Sequence, residues 1–483
     1  MVKLMTKKDS WVQLKHDFSI NIPADLHQIA SFIFMEQETW MEVDVRFIET
    51  LSSYVKTVID VGANYGFYSL LMAKSGSKDI CIHAIEPNSK TMSHLRQSIN
   101  KNKFDAISTH ELAFSNFEGQ ASLTNPSNPE LSELNLECDD EQPMAKVSKL
   151  DTWIAELDSS SVDFIKLDAE GSEVSIVEGG KAFFDSQDPL IMFELKHGQR
   201  IQTELIETLE NIEYEIFQYW PGINCLVPVN TRNSEKIDPM RLNLYAAKPS
   251  RQKILTEHRL LFRNSKSYSS IASTESIKSS FHEKLGLDNE QLSNWYESSI
   301  GLCKKIFQAV TVYEDESLDI QFRIDALYEA EKLVGNSKSF ERLTISEAFS
   351  LIRVSKDLGN YSYAATIALK MLQRIQSGER IHIKEPFVSP DVNLEQRIEV
   401  YSINQWVQLA LVETLELYST FSGIFSADSS LNRCDILDRF GFLSPTLNRR
   451  YILLKKLIRG ELTPLTKESL SCSLNKAFWQ NYV

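Results

Sequence analysis

Between residues 25 and 55 the apolar positions Leu26, Ile29, Ile33, Phe34, Trp40, Val43, Phe47, Ile48 and Leu51 recur at roughly helical spacing, which predicts one or two helices covering a core. The period then changes. Residues 57–62 (T-V-I-D-V-G) form a short β-branched run ending in glycine, and residues 67–74 return to helical spacing. Residues 80–87 predict a second strand, followed by a helix to about Asn100, and residues 107–115 predict a third strand. This alternation is the pattern of a parallel sheet with crossover helices. Residues 116–146, rich in Asn, Pro and Ser with an acidic run at 137–141, interrupt it as a surface excursion and hairpin. It resumes with strands at 162–168 and 190–195, each followed by a helix, at 172–184 and 202–211. Residues 214–219 and 242–247 predict two closing strands, and Pro221, Gly222 and Pro228 between them point to an antiparallel end.

After Pro249 the strand signal fades. Residues 265–280 are Ser-rich and read as a linker, and beyond them the period is helical at 292–312, 320–334, 343–358, 361–375, 394–418 and 451–458. Leu358-Gly359-Asn360-Tyr361, followed by Ala364, Ala368 and Leu372, resembles a tetratricopeptide turn and second helix, although small residues suit any tight helix pair. The expected division is covering helices over 1–56, an α/β domain over 57–250, a linker over 251–280 and an all-α domain over 281–483. Residues 1 to about 250 are expected to fold without the helical half.

Charge narrows the partners. Residues 1–250 carry 22 Lys+Arg against 38 Asp+Glu, while the remainder is nearly balanced. An acidic first half argues against nucleic acid, whose binding needs clustered cations, and favours a neutral or sugar-like small molecule. The six cysteines are scattered without a C-x-x-C pair, so neither a zinc site nor a disulfide framework is expected. The first 18 residues lack the apolar core of a signal peptide, and the apolar stretch at 29–35 is far short of the roughly 20 residues a membrane span needs. A cytoplasmic protein without a transmembrane segment is the expectation.

The chemistry concentrates where strands end. In V-I-D-V-G-A-N-Y-G (58–66), Gly62 and Gly66 stand four apart at a strand-to-helix turn, where glycine permits close backbone approach to a ligand and a helix start offers free N–H groups. Glu86 follows 24 residues after Gly62, closing the next strand, where a carboxylate can grip both hydroxyls of a ribose. A dinucleotide site would show G-x-G-x-x-G; here the spacing is G-x-x-x-G, which disfavours a nucleotide-linked oxidoreductase. A tight turn with an incidental surface glutamate explains either feature alone but poorly explains both.

These pieces, with E-Q-E-T-W (36–40), A-I-E-P-N (84–88), K-L-D-T-W (149–153), D-F-I-K-L-D-A-E-G-S-E (163–173) and L-N-L-Y-A (242–246), make residues 36–248 resemble the FkbM family of methyltransferases. The resemblance implies a Rossmann-like methyltransferase domain, mostly parallel with an antiparallel end, S-adenosylmethionine as methyl donor, and commonly O-methylation of sugars or secondary metabolites. It implies nothing about residues past Pro249. The donor would be held by Asp60, Gly62, Asn64, Gly66 and Glu86.

Ligands of parallel sheets lie at the carboxyl ends of strands, so Asp168 and Glu170 face the crevice, and His197 follows the next strand. Methyl transfer from an activated donor needs alignment and removal of a proton, for which Asp168, Glu170 and His197 are the candidates. Glu173 is expected only to stabilise a helix start, and Lys166 to pair with a neighbouring carboxylate. Asp168 with Glu194 could hold a divalent cation, but the metal-free reading is preferred. Trp40 and Tyr65 could line the acceptor pocket, and Trp40 also reads as a buried packing residue. The helical half could recruit a protein partner or self-associate; its residues 420–483 hold 9 Lys+Arg against 5 Asp+Glu. The rival reading is an interaction protein carrying a non-catalytic methyltransferase-like domain.

Overall fold

Short β-branched segments, apolar on both faces, build the centre of the molecule. The computed structural model describes residues 9–124, 134–135, 143–157, 161–194, 196–197, 200–201, 203–231, 237–262, 290, 294, 301–337, 339–383, 385–461, 473–476 and 479. The chain opens with a hairpin of β1 (Asp9–Gln13) and β2 (Ser19–Pro23) where only covering helices were expected. Those helices follow as α1 (Ile29–Gln37) and α2 (Val45–Leu51). Next come β3 (Thr57–Val61), α3 (Phe67–Ser75), β4 (Cys81–Ile85), α4 (Ser89–Asn102) and β5 (Ile107–His110). The third predicted strand is split, since β6 (Ala113–Phe114) joins a separate small sheet with β7 (Gly119–Leu123), β8 (Leu134–Asn135) and β9 (Met144–Ser148).

The main sheet continues with β10 (Phe164–Leu167) and β11 (Leu190–Glu194); the short strands β12 (Lys196–His197) and β13 (Arg200–Ile201) pair apart from it. β14 (Glu215–Trp220), β15 (Cys225–Pro228) and β16 (Asn243–Ala247) complete it, three closing strands rather than two. The order is β15-β14-β16-β11-β10-β3-β4-β5. The five strands from β11 to β5 are parallel, and β16, β14 and β15 form the antiparallel end. The helix expected over 172–184 breaks into Glu173–Gly179 and Lys181–Ser186 at Gly179-Gly180.

An α/β sheet domain is thus followed by a largely helical region: Leu302–Glu314, Ile320–Gly335, Ile345–Asp357, Tyr361–Gln376, Ile403–Tyr418, Ala427–Arg439 and Pro445–Leu454. The single helix expected over 394–418 starts instead at Ile403, after a short helix Val392–Glu395 and a 3-10 turn. The Ser-rich segment 265–280 lies outside the described residues. No described helix is long and apolar enough to cross a membrane.

The two halves share buried material. One core joins α1, α3 and the sheet to Leu431, Cys434, Tyr451–Leu454 and Trp479, and the helical core takes in Trp220, Ile223, Cys225 and Val227. Polar contacts cross as well. Arg241 donates to the carbonyls of Tyr219 and Leu358, both at 2.8 Å, and Gly222 N donates to Asp357 O at 2.8 Å. Arg450, 2% exposed, sits between Glu36 (2.7 Å) and Glu416, both carboxylates being wholly buried. Removing one partner of such a group leaves an uncompensated buried charge, at a cost of about 3–5 kcal/mol. A chain ending at residue 250 would leave Glu36 without Arg450 and expose the apolar surface under residues 451–454. Such a truncation is expected to precipitate or to melt well below the full chain; a cooperative transition at the full-length temperature would show that the shared core is not needed.

Candidate functional site

Strand β3 ends in a turn that only a small residue permits. Gly62 has φ +73°, and a Cβ there would lie 1.8 Å from the carbonyl oxygen of Asp168, so the turn after β3 rests directly on the end of β10. The N–H groups of Gly62 and Ala63 donate to Ile85 O at 3.0 and 2.9 Å, tying the same turn to β4. Gly66, φ +88°, lets α3 begin against Leu95 of α4. Asp60, 2% exposed, accepts from Ser69 at 2.6 Å and so fixes the first turn of α3; its other oxygen has no hydrogen-bond partner among the described residues.

Glu86, just past β4, is 7% exposed and receives the N–H groups of Asn64 (2.9 Å) and Asn88 (2.8 Å). Burial outweighs those two donors and raises its pKa to about 7. Gly62, Asn64, Glu86 and Pro87 line an open crevice whose apolar walls come from Val61, Ile85, Leu112, Ala113 and Phe114, and which Asp168 and Glu170 also line. A second, smaller crevice is lined by Phe34, Trp40, Tyr65, Phe67 and Tyr68 together with Lys166 and Asp168. Gly62, Asn64 and Asp168 line both.

The boundary between the crevices is charged. Lys166, 5% exposed in the middle of β10, places its Nζ 2.6 Å from Asp168 Oδ2. It stands in register with Asp60 on β3. Desolvation opposes its charge, but Asp168, Asp60 and Glu42 together raise its pKa. The same desolvation raises the pKa values of Glu42 and Asp60, with Lys166 the chief opposing influence. Glu194, at the end of β11, is pushed well above the usual carboxylate range by burial and by Asp168 and Glu170. Glu173 Oε1 accepts from Ala169 N (2.8 Å) and Gly171 N (3.3 Å), which staples the 168–172 turn in which Glu170 has φ +49°. Among the described residues no group of three or more His, Cys, Asp or Glu could hold a metal ion.

Residues 60–218 match the family model described as the methyltransferase FkbM domain. The chain carries an FkbM methyltransferase domain. Comparison with curated proteins finds no match. Among solved structures it is similar to methyltransferase FkbM from Methylobacillus flagellatus, at 17% identity over 40% of this chain and 43% of that one, with a TM-score of 0.27. It is also similar to a precorrin-6y C5,15-methyltransferase from Geobacter metallireducens (13%; 36% and 74%; 0.24) and to an O-methyltransferase from Bacillus cereus in complex with SAH (10%; 42% and 79%; 0.27). The chain spans less than half the length of the Methylobacillus chain.

Within the FkbM domain the structure brings Gly62, Asn64, Glu86, Asp168 and Glu170 around one crevice, with Asp60 and Gly66 behind the turn. His197 lies on β12, and its side chain is outside the described residues. Sequence reasoning missed Glu42, whose carboxylate accepts from Tyr68, from Trp40 Nε1 (2.8 Å) and from Asn243 Nδ2 (2.7 Å). Its only sequence signal is an acidic residue two after a tryptophan.

Lys166 is the counter-charge for this cluster, so Lys166→Met should destabilise the protein by about 3–5 kcal/mol near pH 8. Without the ammonium, the pKa values of Asp60 and Glu42 in the folded state rise further. Groups raised on folding contribute stability at low pH that is lost as pH rises through the folded pKa. The deficit of Lys166→Met should therefore shrink between pH 8 and pH 5.5 in urea unfolding; an equal deficit at both would remove Lys166 from this role.

Proposed function

We propose that the chain is an S-adenosylmethionine-dependent O-methyltransferase, with the Glu86 crevice as donor site, the aromatic crevice as acceptor site, and a sugar, glycan or secondary-metabolite hydroxyl as acceptor. The FkbM domain supports the methyltransferase activity. The observation that carries the two-site reading is the pair of crevices meeting at Gly62, Asn64 and Asp168, one holding a buried carboxylate among apolar walls, the other an aromatic cradle. We also keep residues 57–250 as the methyltransferase unit.

The residues fit the donor. A carboxylate has about four acceptor positions, so Glu86 can take two ribose hydroxyls in addition to its two backbone donors. Gly62 and Asn64 (φ +53°) present backbone rather than bulk, and Leu112, Ala113 and Phe114 offer an apolar wall for a base. When bound, the donor supplies an activated sulfonium methyl group. The acceptor is oriented by Trp40, Tyr65 and Tyr68, and its hydroxyl proton passes to the Asp168 carboxylate, which Lys166 holds at the junction of the crevices. Glu170 supports from the same turn. Aromatic faces suit a sugar ring or a planar metabolite and exclude water from the transfer.

Three outcomes are expected. Glu86→Ala should weaken S-adenosylhomocysteine binding by roughly 1.5–3 kcal/mol, the scale of charged hydrogen bonds, and Gly62→Val should abolish it. Since the ionised carboxylate accepts the ribose hydroxyls and Glu86 titrates near pH 7, affinity should be flat above that pH. Below it, affinity should fall by up to about tenfold per unit, with the slope absent in Glu86→Gln. Calorimetry between pH 5.5 and 8.5 decides this, and a flat wild-type profile would remove Glu86 from the donor site. Asp168→Asn should bind donor normally yet lower turnover about 100 to 10,000-fold. Product mass spectrometry in cells with and without the protein identifies the acceptor.

A further inference from the structure

Residues 38–44 join α1 to α2 without regular structure and carry Trp40 into the aromatic crevice, with Glu42 bonded to Tyr68 of its wall, while Phe34 of α1 forms the adjoining wall. At Glu38 the chain turns sharply out of α1 with φ +58°. What holds this strap comes from three parts of the chain. At its far end, Asp44 accepts from Tyr245 at 2.8 Å and Glu42 from Asn243 at 2.7 Å, both on β16.

Its near end is fastened mainly by the helical half, with two further bonds from the opening hairpin, Lys15 N to Glu38 O at 2.9 Å and His16 to Thr39 at 2.8 Å. Glu36 is wholly buried, and its carboxylate accepts from Arg450 Nε (3.0 Å) and NH2 (2.7 Å), from Ser422 Oγ (2.7 Å) and from Gly423 N (3.0 Å). The carbonyl of Glu36 accepts from Arg449 Nε at 2.7 Å, Gln37 donates to Phe421 O at 2.7 Å, and Glu38 accepts from Leu474 N at 2.7 Å. A buried carboxylate is tolerated only when its charge is matched and its lone pairs are satisfied, so Glu36 stays where these groups are. The donor wall is built differently: Gly62 and Ala63 bond to Ile85, and Glu86 to Asn64 and Asn88, all within the sheet domain.

We propose that the helical half shapes the acceptor crevice by clamping this strap, and that Arg450 is a positioning residue for acceptor capture. The proposal rests on the aromatic crevice being the acceptor side. Arg450 touches neither crevice. Its planar fork meets Glu36 with two nitrogens, a geometry that a lysine ammonium cannot copy.

The test uses the full chain with Arg450→Met, Arg450→Lys and Glu36→Gln, so that one variant failing to fold does not end it. Three quantities are read: amide hydrogen exchange, S-adenosylhomocysteine affinity, and transfer of label from tritiated S-adenosylmethionine into an extract of cells lacking the protein. In Arg450→Met, exchange across residues 36–44 should quicken by about tenfold or more while residues 57–66 keep wild-type rates. Donor affinity and plateau rate should stay within about twofold, and the half-saturating amount of extract should rise about tenfold, with Arg450→Lys between. A merely structural role would speed exchange throughout the molecule and lower donor affinity and plateau rate together, and that result overturns the proposal. If the wild-type chain transfers no label, the methyltransferase reading fails, while the exchange and donor-affinity arms still decide the clamp.

Discussion

A single ammonium inside a parallel sheet is the constraint on which the site depends. Lys166 is placed by strand register opposite Asp60, and its charge is bearable there only because Asp60, Asp168 and Glu42 surround it. Each carboxylate holds something else in turn. Asp60 fixes Ser69 and hence the start of α3, Glu42 gathers Trp40, Tyr68 and Asn243, and Asp168 stands where the crevices meet. The glycine turn, the aromatic wall and the junction between them thus share one counter-ion, and a change at any of them is felt by the others through its charge balance.

Much of the sheet is legible in the sequence because parallel strands covered on both faces must be apolar throughout, and T-V-I-D-V and L-I-M-F-E announce themselves. The opening hairpin does not. D-S-W-V-Q and S-I-N-I-P are short and half polar, and they become strands by lying over α4, where Asn21 N reaches Ser98 and Ser19 N reaches Asn102. The helix Ala427–Arg439 (A-D-S-S-L-N-R-C-D-I-L-D-R) is also silent, its buried face reduced to Ser430, Leu431, Cys434 and Leu437. In the site, the turn glycines, Glu86 and Asp168 are readable because local backbone and strand ends dictate them. Glu42 and Arg450 are not, since their partners lie up to 201 and 414 residues away and no local pattern marks such pairs.

The two halves are better understood as interlocked than as joined by a linker. The β14–β15 hairpin belongs to the sheet by its hydrogen bonds but contributes Trp220, Cys225 and Val227 to the helical core, where Trp220 packs on Tyr328. In the other direction, residues 451–454 complete the core under α1. Exchange of this kind makes the helical region part of what holds the sheet domain's outer layer in place, and its buried arginines report the same arrangement in charge.

The absence of a side chain at Gly62 brings two loops into van der Waals contact, and from this follows a fixed ruler. Where backbone lies against backbone, the spacing between the turn after β3 and the chain at Asp168 is set by main-chain geometry rather than by the choice of a side chain. Among the described residues the aromatic side has no such backbone contact to fix it, so divergence among chains built on this frame should accumulate at Phe34 and Trp40 rather than along the glycine turn.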